Sequence, residues 1–497
     1  MSDREVTTCD VAVVGAGNAA LCAALSALEQ GARVLVLEAA PEGERGGNSY
    51  FTGGLFRFPF RGLDDIAALI PDLSEAEARS VELEPYSEEQ FFEDVARLGE
   101  YRSDPELLST LVSQAFPTLR WLRERGVLFT LAVGRQAFRV GERFRFYGAL
   151  VVEAVGGGAG LVDSLFAAVR RRGGEVWFEA RALALLTEEG RVTGVRVRRQ
   201  GAWLDVPARA VVLACGGFEA NAEMRARYLG PGWDLARVRG TRYNIGDGIR
   251  MALELGAQPY GHWSGCHAVA WDANAPPYGD RKVGDLFQKH SYPLGIVVNR
   301  LGQRFLDEGA DFRNYTYARY GAEILKQPGQ IAFQIFDAKV LPLLRDEYRI
   351  PQATRAQADS LAELADRLGI EREGLLQTVA EFNAAVQGGE FNPAVKDGKG
   401  TRGIVPPKSN WALPLDTPPF VGYAVTCGIT FTYGGVRIDG RGRVLDIYDR
   451  PIPGLYAAGE LVGGLFYHNY PGGSGLTAGT VFGRIAGREA ALFARGA

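Results

Sequence analysis

The sequence predicts an α/β fold in which one parallel sheet is assembled from two distant stretches of chain, with an α+β capping insertion between them. Three observations predict it. A short β-branched run, Asp10–Val14, passes through a glycine loop into an Ala/Leu-rich helical stretch and a second apolar run, Arg33–Leu37. The same glycine-rich texture returns after residue 418. Between residues 258 and 418 the chain is instead richer in Pro, Trp, His and Tyr. The boundaries read from these shifts are 1–257 and 419–497 for the two pieces of the first domain and 258–418 for the insertion.

Each element follows from local pattern. Asp10–Val14 is the continuous apolar run of a parallel strand covered on both faces. Gly15-Ala16-Gly17-Asn18-Ala19-Ala20 stands where that strand turns into a helix, Ala19–Gln30, which ends at Gly31. Arg33–Leu37 is the next strand, closed by Glu38. Gly43–Gly62 is irregular. Helices are expected over Asp104–Arg125, which contains Pro117, over Leu161–Arg172 and over Gly246–Leu255. Glu175–Phe178 is a strand, and Ala182–Leu186, Val192–Arg198 and Trp203–Val206 form an antiparallel meander. Ala210–Cys215 is a separate apolar strand. The insertion carries helices near Asp359–Leu368 and Glu373–Val386 and a polar surface loop, Phe391–Ser409. Gly435–Ile438 and Leu455–Ala458 are strands, and Leu476–Phe493 is the last helix.

Composition excludes several classes of function. The 497 residues carry 55 Lys+Arg against 59 Asp+Glu, a net charge of −4, without the basic excess of a nucleic-acid binder. No apolar run reaches the ~20 residues that span a bilayer, and no basic-then-apolar leader pattern opens the chain. Cys9, Cys22, Cys215, Cys266 and Cys427 are scattered, with no CxxC and no ligand spacing. That pattern argues against zinc, c-type haem and Cys-ligated iron–sulfur sites and fits a cytoplasmic setting. Glycine is the outlier, at 64 residues, near twice the usual ~7%.

The glycine clusters point to a Rossmann-like dinucleotide site. In the GxGxxA loop, Gly15 permits the tight turn, Gly17 lets backbone N–H groups approach a pyrophosphate, and Ala20 packs the helix on the strand. The helix N-terminus offers unpaired N–H donors and a positive dipole to the anion. Glu38 follows Gly15 by 23 residues, near the spacing of an acid that grips a ribose hydroxyl. Further clusters follow in order: Arg45-Gly46-Gly47-Asn48-Ser49, Ala214-Cys215-Gly216-Gly217-Phe218, Ala457-Ala458-Gly459-Glu460 and Gly472-Gly473-Ser474-Gly475-Leu476-Thr477. The last opens a helix whose N-terminus would face the edge of a flavin that becomes anionic on reduction.

This ordered set resembles the fumarate reductase/succinate dehydrogenase flavoprotein superfamily over almost the whole chain. The resemblance implies FAD. It implies a cofactor site made of Gly15, Gly17, Asn18, Ala19, Ala20, Glu38, Ala39, Gly46, Gly47, Asn48, Ser49, Gly53, Gly54, Ala182, Ala214, Gly216, Gly217, Asn244, Asp247, Gly459, Glu460, Ser474, Gly475, Leu476 and Thr477. Respiratory members carry their flavin on a histidine in the region matching Gly46–Ser49. No histidine stands there in this chain, so the FAD is expected to be non-covalent.

The insertion supplies the catalytic candidates. Val298–Glu308 resembles the superfamily's VNxxGxRFxxE signature, and Arg313 matches the arginine that donates a proton in fumarate reductases, displaced by about one residue. An arginine relays a proton only if a partner charge changes in step, because its ordinary pKa is above 12. The bland alternative is a cap arginine paired with Asp311 or Glu308. His267 matches a substrate-carboxylate histidine, and His290 and His468 lie in other motif segments. Departures are equally informative. Phe431 replaces a carboxylate-binding histidine, Asn469-Tyr470-Pro471-Gly472-Gly473 replaces an NRxGG motif, and Gln288 and Ser291 stand where a proton-feeding acid and arginine are expected.

The Tyr470-Pro471-Gly472 segment is similar to ketosteroid dehydrogenases, whose Tyr-Pro-Gly motif helps polarise a ketone. The combination of Gln288–Pro293, Asp311–Tyr317 and His468–Gly473 most resembles FAD-dependent tricarballylate dehydrogenases. That resemblance implies removal of two hydrogens across a CH–CH bond of a small polycarboxylate, with Arg313, His290, Tyr470 and His267 as the polar catalytic set. Arg135, Arg139, Arg143 and Arg145 also suit an anion, against the plainer reading of a solvated strand face. The rival expectations are a reductase of an unsaturated acid, a ketosteroid-type dehydrogenase and a non-enzymatic flavin domain. No second GxGxxG follows a strand. Electrons are therefore expected to leave to a separate acceptor, a membrane iron–sulfur or haem protein or a quinone, so that membrane association would come through a partner.

Overall fold

Two large sheets carry the architecture in the computed structural model, which describes residues 8–496. The first has eight strands. Its order is Ala180–Glu188, Arg191–Arg199, Ala202–Leu213, Cys9–Val14, Val34–Leu37 and Glu175–Trp177, with Pro451–Ala457 added parallel to Ala202–Leu213 and Arg443–Leu445 paired to Pro451–Ala457. Cys9–Val14 runs parallel to both of its neighbours, and Val11, Ala12 and Val13 are fully buried, as a strand covered on both faces requires.

The segments Trp203–Val206 and Ala210–Cys215, expected as separate strands, belong to one strand, Ala202–Leu213. Its first half pairs antiparallel with Arg191–Arg199 and its second half parallel with Cys9–Val14. Pro207 stands at the change of partner, where its missing N–H interrupts neither ladder. The helix expected from Leu161 starts a turn earlier, at Gly157, and Pro117 lies inside an unbroken helix, Pro105–Glu124.

The first helix, Asn18–Glu29, packs along the last, Ser474–Ala494, and this contact joins the two distant pieces of chain. Glycines make it close. A Cβ on Gly483 would lie 2.4 Å from Ala19 O, and one on Gly487 2.0 Å from Ala23 O. Asn18 Nδ2 adds hydrogen bonds of 2.9 Å to both Leu476 O and Thr480 Oγ1.

The second sheet has six strands around a long central one, Phe420–Val436. Pro259–Asp272, Ala332–Phe336, Arg355–Ala358 and Arg237–Val238 all pair with it, and Ile296–Asn299 pairs with Ala332–Phe336. The boundary expected at 418/419 assigned Phe420–Val436 to the first domain, whereas its pairing puts it in this second sheet, together with Arg237–Val238 from before residue 258. Only its last residues were legible as a strand, because Gly422, Gly428, Gly434 and Gly435 read as turn signals. Each of these answers to crowding instead: a Cβ on Gly428 would lie 2.6 Å from the Trp271 side chain, and one on Gly434 2.7 Å from Trp263. Helices Leu361–Leu368 and Arg372–Ala385 sit near their expected positions, and the Phe391–Ser409 segment has neither helix nor paired strand beyond one isolated bridge.

Replacing a mid-helix glycine by alanine ordinarily stabilises a helix by up to about 1 kcal/mol. At Gly487 the sign is expected to reverse: Gly487→Ala should cost about 1–3 kcal/mol through overpacking against Ala23, measured as a lower thermal unfolding midpoint than wild type.

Candidate active site

A single cleft begins at the glycine loop after Cys9–Val14 and ends against the second sheet. Its near end is a cradle of backbone. Gly15 holds φ +102°, and a Cβ there would lie 2.4 Å from Ala214 O, just past the end of the neighbouring strand Ala202–Leu213. The first helix starts after Gly17 and the last after Gly473, glycines with no side chain to cap them; Ser49 Oγ accepts the Asn18 N–H at 2.9 Å, and the following N–H groups of the first turn stay open. Their free N–H groups and dipoles favour an anion. Glu38, 6% exposed, lines the same space at the end of Val34–Leu37, and its Oε1 accepts from Ala40 N at 2.9 Å. Burial pushes its carboxyl up to about 7 against these backbone hydrogen bonds. Two helix starts led by glycine and a buried acid that lacks hydroxyl donors together fit a dinucleotide's pyrophosphate and ribose.

Of the expected cofactor residues, Gly15, Gly17, Asn18, Ala19, Glu38, Ala39, Gly47, Asn48, Ser49, Gly53, Ala182, Ala214, Gly216, Asn244, Asp247, Gly459, Glu460, Gly475 and Leu476 line this cleft. Six stand behind its wall. Ala20 packs in the core, Gly46 and Gly54 pass against Val162 and Gly157, and Gly217 backs onto Thr432 and Glu460. Thr477 is occupied with the backbone of Arg57, accepting from its N–H and donating to its carbonyl, and Ser474 is fully buried. Asn48 ties the cradle to the second sheet by donating to Glu219 Oε1 and Thr430 O and accepting from Thr241 N.

The far end of the cleft brings together Arg313, His290, Tyr470 and His267. The pairing of Pro259–Asp272 with Phe420–Val436 slips on both sides of His267, between His262 and Cys266 and between His267 and Ala268. Such bulges re-aim side chains. Here they turn His267 and Thr430 into the cleft, with Phe431 directly across from His267 at 5.1 Å between rings. Neither ring nitrogen of His267 has a partner among the described residues, nor does His290 Nε2. Burial holds both imidazoles well below their ordinary pKa, with Arg239 adding at His267 and Arg313 at His290, so both are neutral at neutral pH. Tyr317 and Tyr470 join hydroxyl to hydroxyl at 2.7 Å, and burial raises both phenols. His468 lies outside the cleft, its backbone N–H on His262 Nδ1.

Arg313 is bound by neutral groups. Its Nε donates to Tyr147 Oη at 3.0 Å, Nη2 to Arg135 O at 2.7 Å, and Nη1 lies 3.3 Å from His290 Nδ1. Neither expected carboxylate reaches it: Asp311 pairs with Arg97 and Lys396, and Glu308 with Arg304. Burial opposes its charge, but Tyr147 and Glu347 outweigh burial and keep it cationic. Tyr147 responds in turn. Burial alone would raise its phenol, yet Arg313 and Arg345 hold it below its ordinary value. Gln288 donates to Asp285 and Ser291 accepts from Arg345 N, so neither stands as a charged feed to Arg313.

Of the basic run, only Arg135 lines the cleft. Arg139 and Arg143 lie on an exposed hairpin, and Arg145 pairs with Glu84 and Glu82. Sequence reasoning missed Arg239 and Asp285. Both are nearly buried and line the cleft, and lone charges in irregular segments give no sequence signal to separate them from solvated ones.

The family model described as an FAD binding domain matches residues 10–476. The chain belongs to this FAD-binding family. The flavoprotein is 30% identical over 494 residues to a probable fumarate reductase, Ifc3, of Shewanella frigidimarina, covering 98% of this chain and 75% of that protein. It is 28% identical to a 3-oxosteroid 1-dehydrogenase of Mycobacterium tuberculosis, covering 96% of this chain and 97% of that one. Among solved structures it resembles a flavocytochrome c3 fumarate reductase in an open conformation, with a TM-score of 0.73 and 28% identity, covering 98% of this chain and 79% of that one. It is an FAD-dependent oxidoreductase of the fumarate reductase/succinate dehydrogenase flavoprotein superfamily. No helix among the described residues is long and apolar enough to cross a membrane.

Glu38 gives a pH test of the cradle. A ribose hydroxyl donates more strongly to the carboxylate than to the protonated acid, so FAD should bind the apoprotein more tightly as pH rises through about 7. Affinity should fall by up to about tenfold per pH unit below that value, and Glu38→Gln should flatten the dependence, as read by fluorescence titration with FAD.

Proposed function

We propose that this flavoprotein removes two hydrogens across a CH–CH bond of a small polycarboxylate, of the tricarballylate-to-cis-aconitate type, with FAD held non-covalently. The observation that carries the reading is Arg313, a cation without a carboxylate partner among the described residues, in the same cleft as the FAD cradle. FAD, when bound, supplies a two-electron hydride acceptor. The chain's own groups do the rest. Arg313 offsets the negative charge that develops on a carboxylate as the neighbouring C–H bond is broken, the largest lever available for so weak an acid. Neutral His267 and His290 each offer one N–H donor to the same anion, the acceptor nitrogen of His290 being the one that lies 3.3 Å from Arg313 Nη1. Phe431, Phe466 and the Tyr317–Tyr470 pair wall the cleft with aromatic surface. The electrons go to a separate acceptor, a membrane iron–sulfur or haem protein or a quinone.

A second reading, a ketosteroid-type dehydrogenase, draws on one observation: the paired hydroxyls of Tyr317 and Tyr470, held protonated in the cleft, suit the polarisation of a ketone oxygen. Anaerobic titration separates the readings. Tricarballylate should bleach the visible flavin absorbance, and a 3-oxosteroid should not. Fast reoxidation of reduced flavin by fumarate would favour the reductive direction, and no response to any of them a non-enzymatic role. Arg313→Ala should retain FAD yet lower kcat about 10²–10³-fold; turnover near wild type would remove Arg313 from the mechanism.

A further inference from the structure

Arg239 enters the cleft from the opposite side of the molecule's motif pattern, on the segment that follows Arg237–Val238 in the second sheet. It is 7% exposed. Its Nε donates to Asp285 Oδ1 at 3.1 Å, Nη2 reaches the same oxygen, and Nη1 donates to Thr430 Oγ1 at 3.3 Å. A guanidinium has five N–H groups. Three are thus occupied, and the remaining N–H groups belong to a side chain that lines the cleft. Thr430 is the residue skipped by the register slip beside His267, so the bulge that aims His267 also sets one of the contacts of Arg239.

Asp285 fixes the direction of this group. It accepts from Arg239, from Arg135 Nη1 at 3.0 Å and from Gln288 Nε2 at 2.9 Å. Arg135 also lies 3.4 Å from Glu153. The guanidinium of Arg239 is therefore held by one edge, close enough to influence His267, His290, Tyr317 and Tyr470 electrostatically. Arg313, by contrast, is held by Tyr147, His290 and the Arg135 carbonyl. The two cations share the cleft with the imidazoles and phenols.

We propose that Arg239 is a second carboxylate-binding residue of the active site, oriented by Asp285, and that the substrate must present at least two carboxylates, one to Arg313 and one to Arg239. The proposal rests on the polycarboxylate reading and narrows it. Asp285 is a positioning residue. It directs the Arg239 fork and at the same time subtracts one charge from this side of the cleft.

That double role gives a test in which the two variants move in opposite directions. Tricarballylate binding to the oxidised, FAD-loaded protein is measured by isothermal titration, without turnover. Arg239→Gln should weaken binding about 10²-fold. Arg239→Lys, which keeps the charge and loses the fork, should recover part of the loss. Asp285→Asn should tighten binding, because the amide oxygen can still orient the Arg239 fork while the negative charge shared by Arg239 and Arg135 is removed. The proposal is overturned if Arg239→Gln binds tricarballylate like wild type, or if Asp285→Asn weakens binding as much as Arg239→Gln. Arg313→Ala in the same series separates the two levels. Loss of binding in Arg313→Ala with none in Arg239→Gln defeats the second pole alone, while a wild-type protein that binds no tricarballylate defeats the polycarboxylate reading and this inference with it.

Discussion

Asn18 donates from one amide nitrogen to Leu476 O and to Thr480 Oγ1, across a sequence separation of 462 residues in the second case. Beneath it, Gly483 and Gly487 let the last helix lie backbone to backbone on the first. The cradle depends on that contact. Each helix start is a modest partial charge alone. Brought to one cleft, the two starts direct their N–H donors into a space that Glu38 and Asn48 also line. A side chain at Gly487 or Gly483 would push the two helices apart at the contact that sets the spacing of those donors.

The electrostatics of the far end follow a similar economy. Asp285 offsets Arg239 and Arg135, and Glu153 lies beside Arg135 with its carboxyl raised to about 7 by burial. Arg313 alone has only neutral ligands. The nearby charge of Glu347 acts on it without a direct contact, so its N–H groups are not taken up by a carboxylate and a ligand anion can reach them. Neutral histidines around it add donors without adding repulsion.

The parallel core was legible because its strands and helices announce themselves locally. Asp10–Val14, the GxGxxA loop, Arg33–Leu37 and the last helix fall within a residue or two of their expected ends. The second sheet was not, because its central strand carries glycines for a reason that lies on other strands, namely the bulk of Trp271 and Trp263. Pro207 divided a continuous strand for the same kind of reason, since the change of partner that accommodates it is a tertiary fact. Among site residues, those in glycine motifs were found and those set by ion pairing were missed. Arg139, Arg143 and Arg145 look like an anion site in sequence and face solvent or surface acids. Arg239, which lines the cleft, has no neighbours in sequence that mark it.

The union of first and last helices also has a consequence for synthesis. Ribosomes add about 5–20 residues per second, so the partner groups for Asn18 emerge roughly 20–100 seconds after it does. Through that interval the nascent chain displays its first strand and helix with the face of Ala19 and Ala23 uncovered, the face on which Gly483 and Gly487 lie in the finished molecule. Flavin capture is thereby postponed until the last helix has left the ribosome and lies against the first.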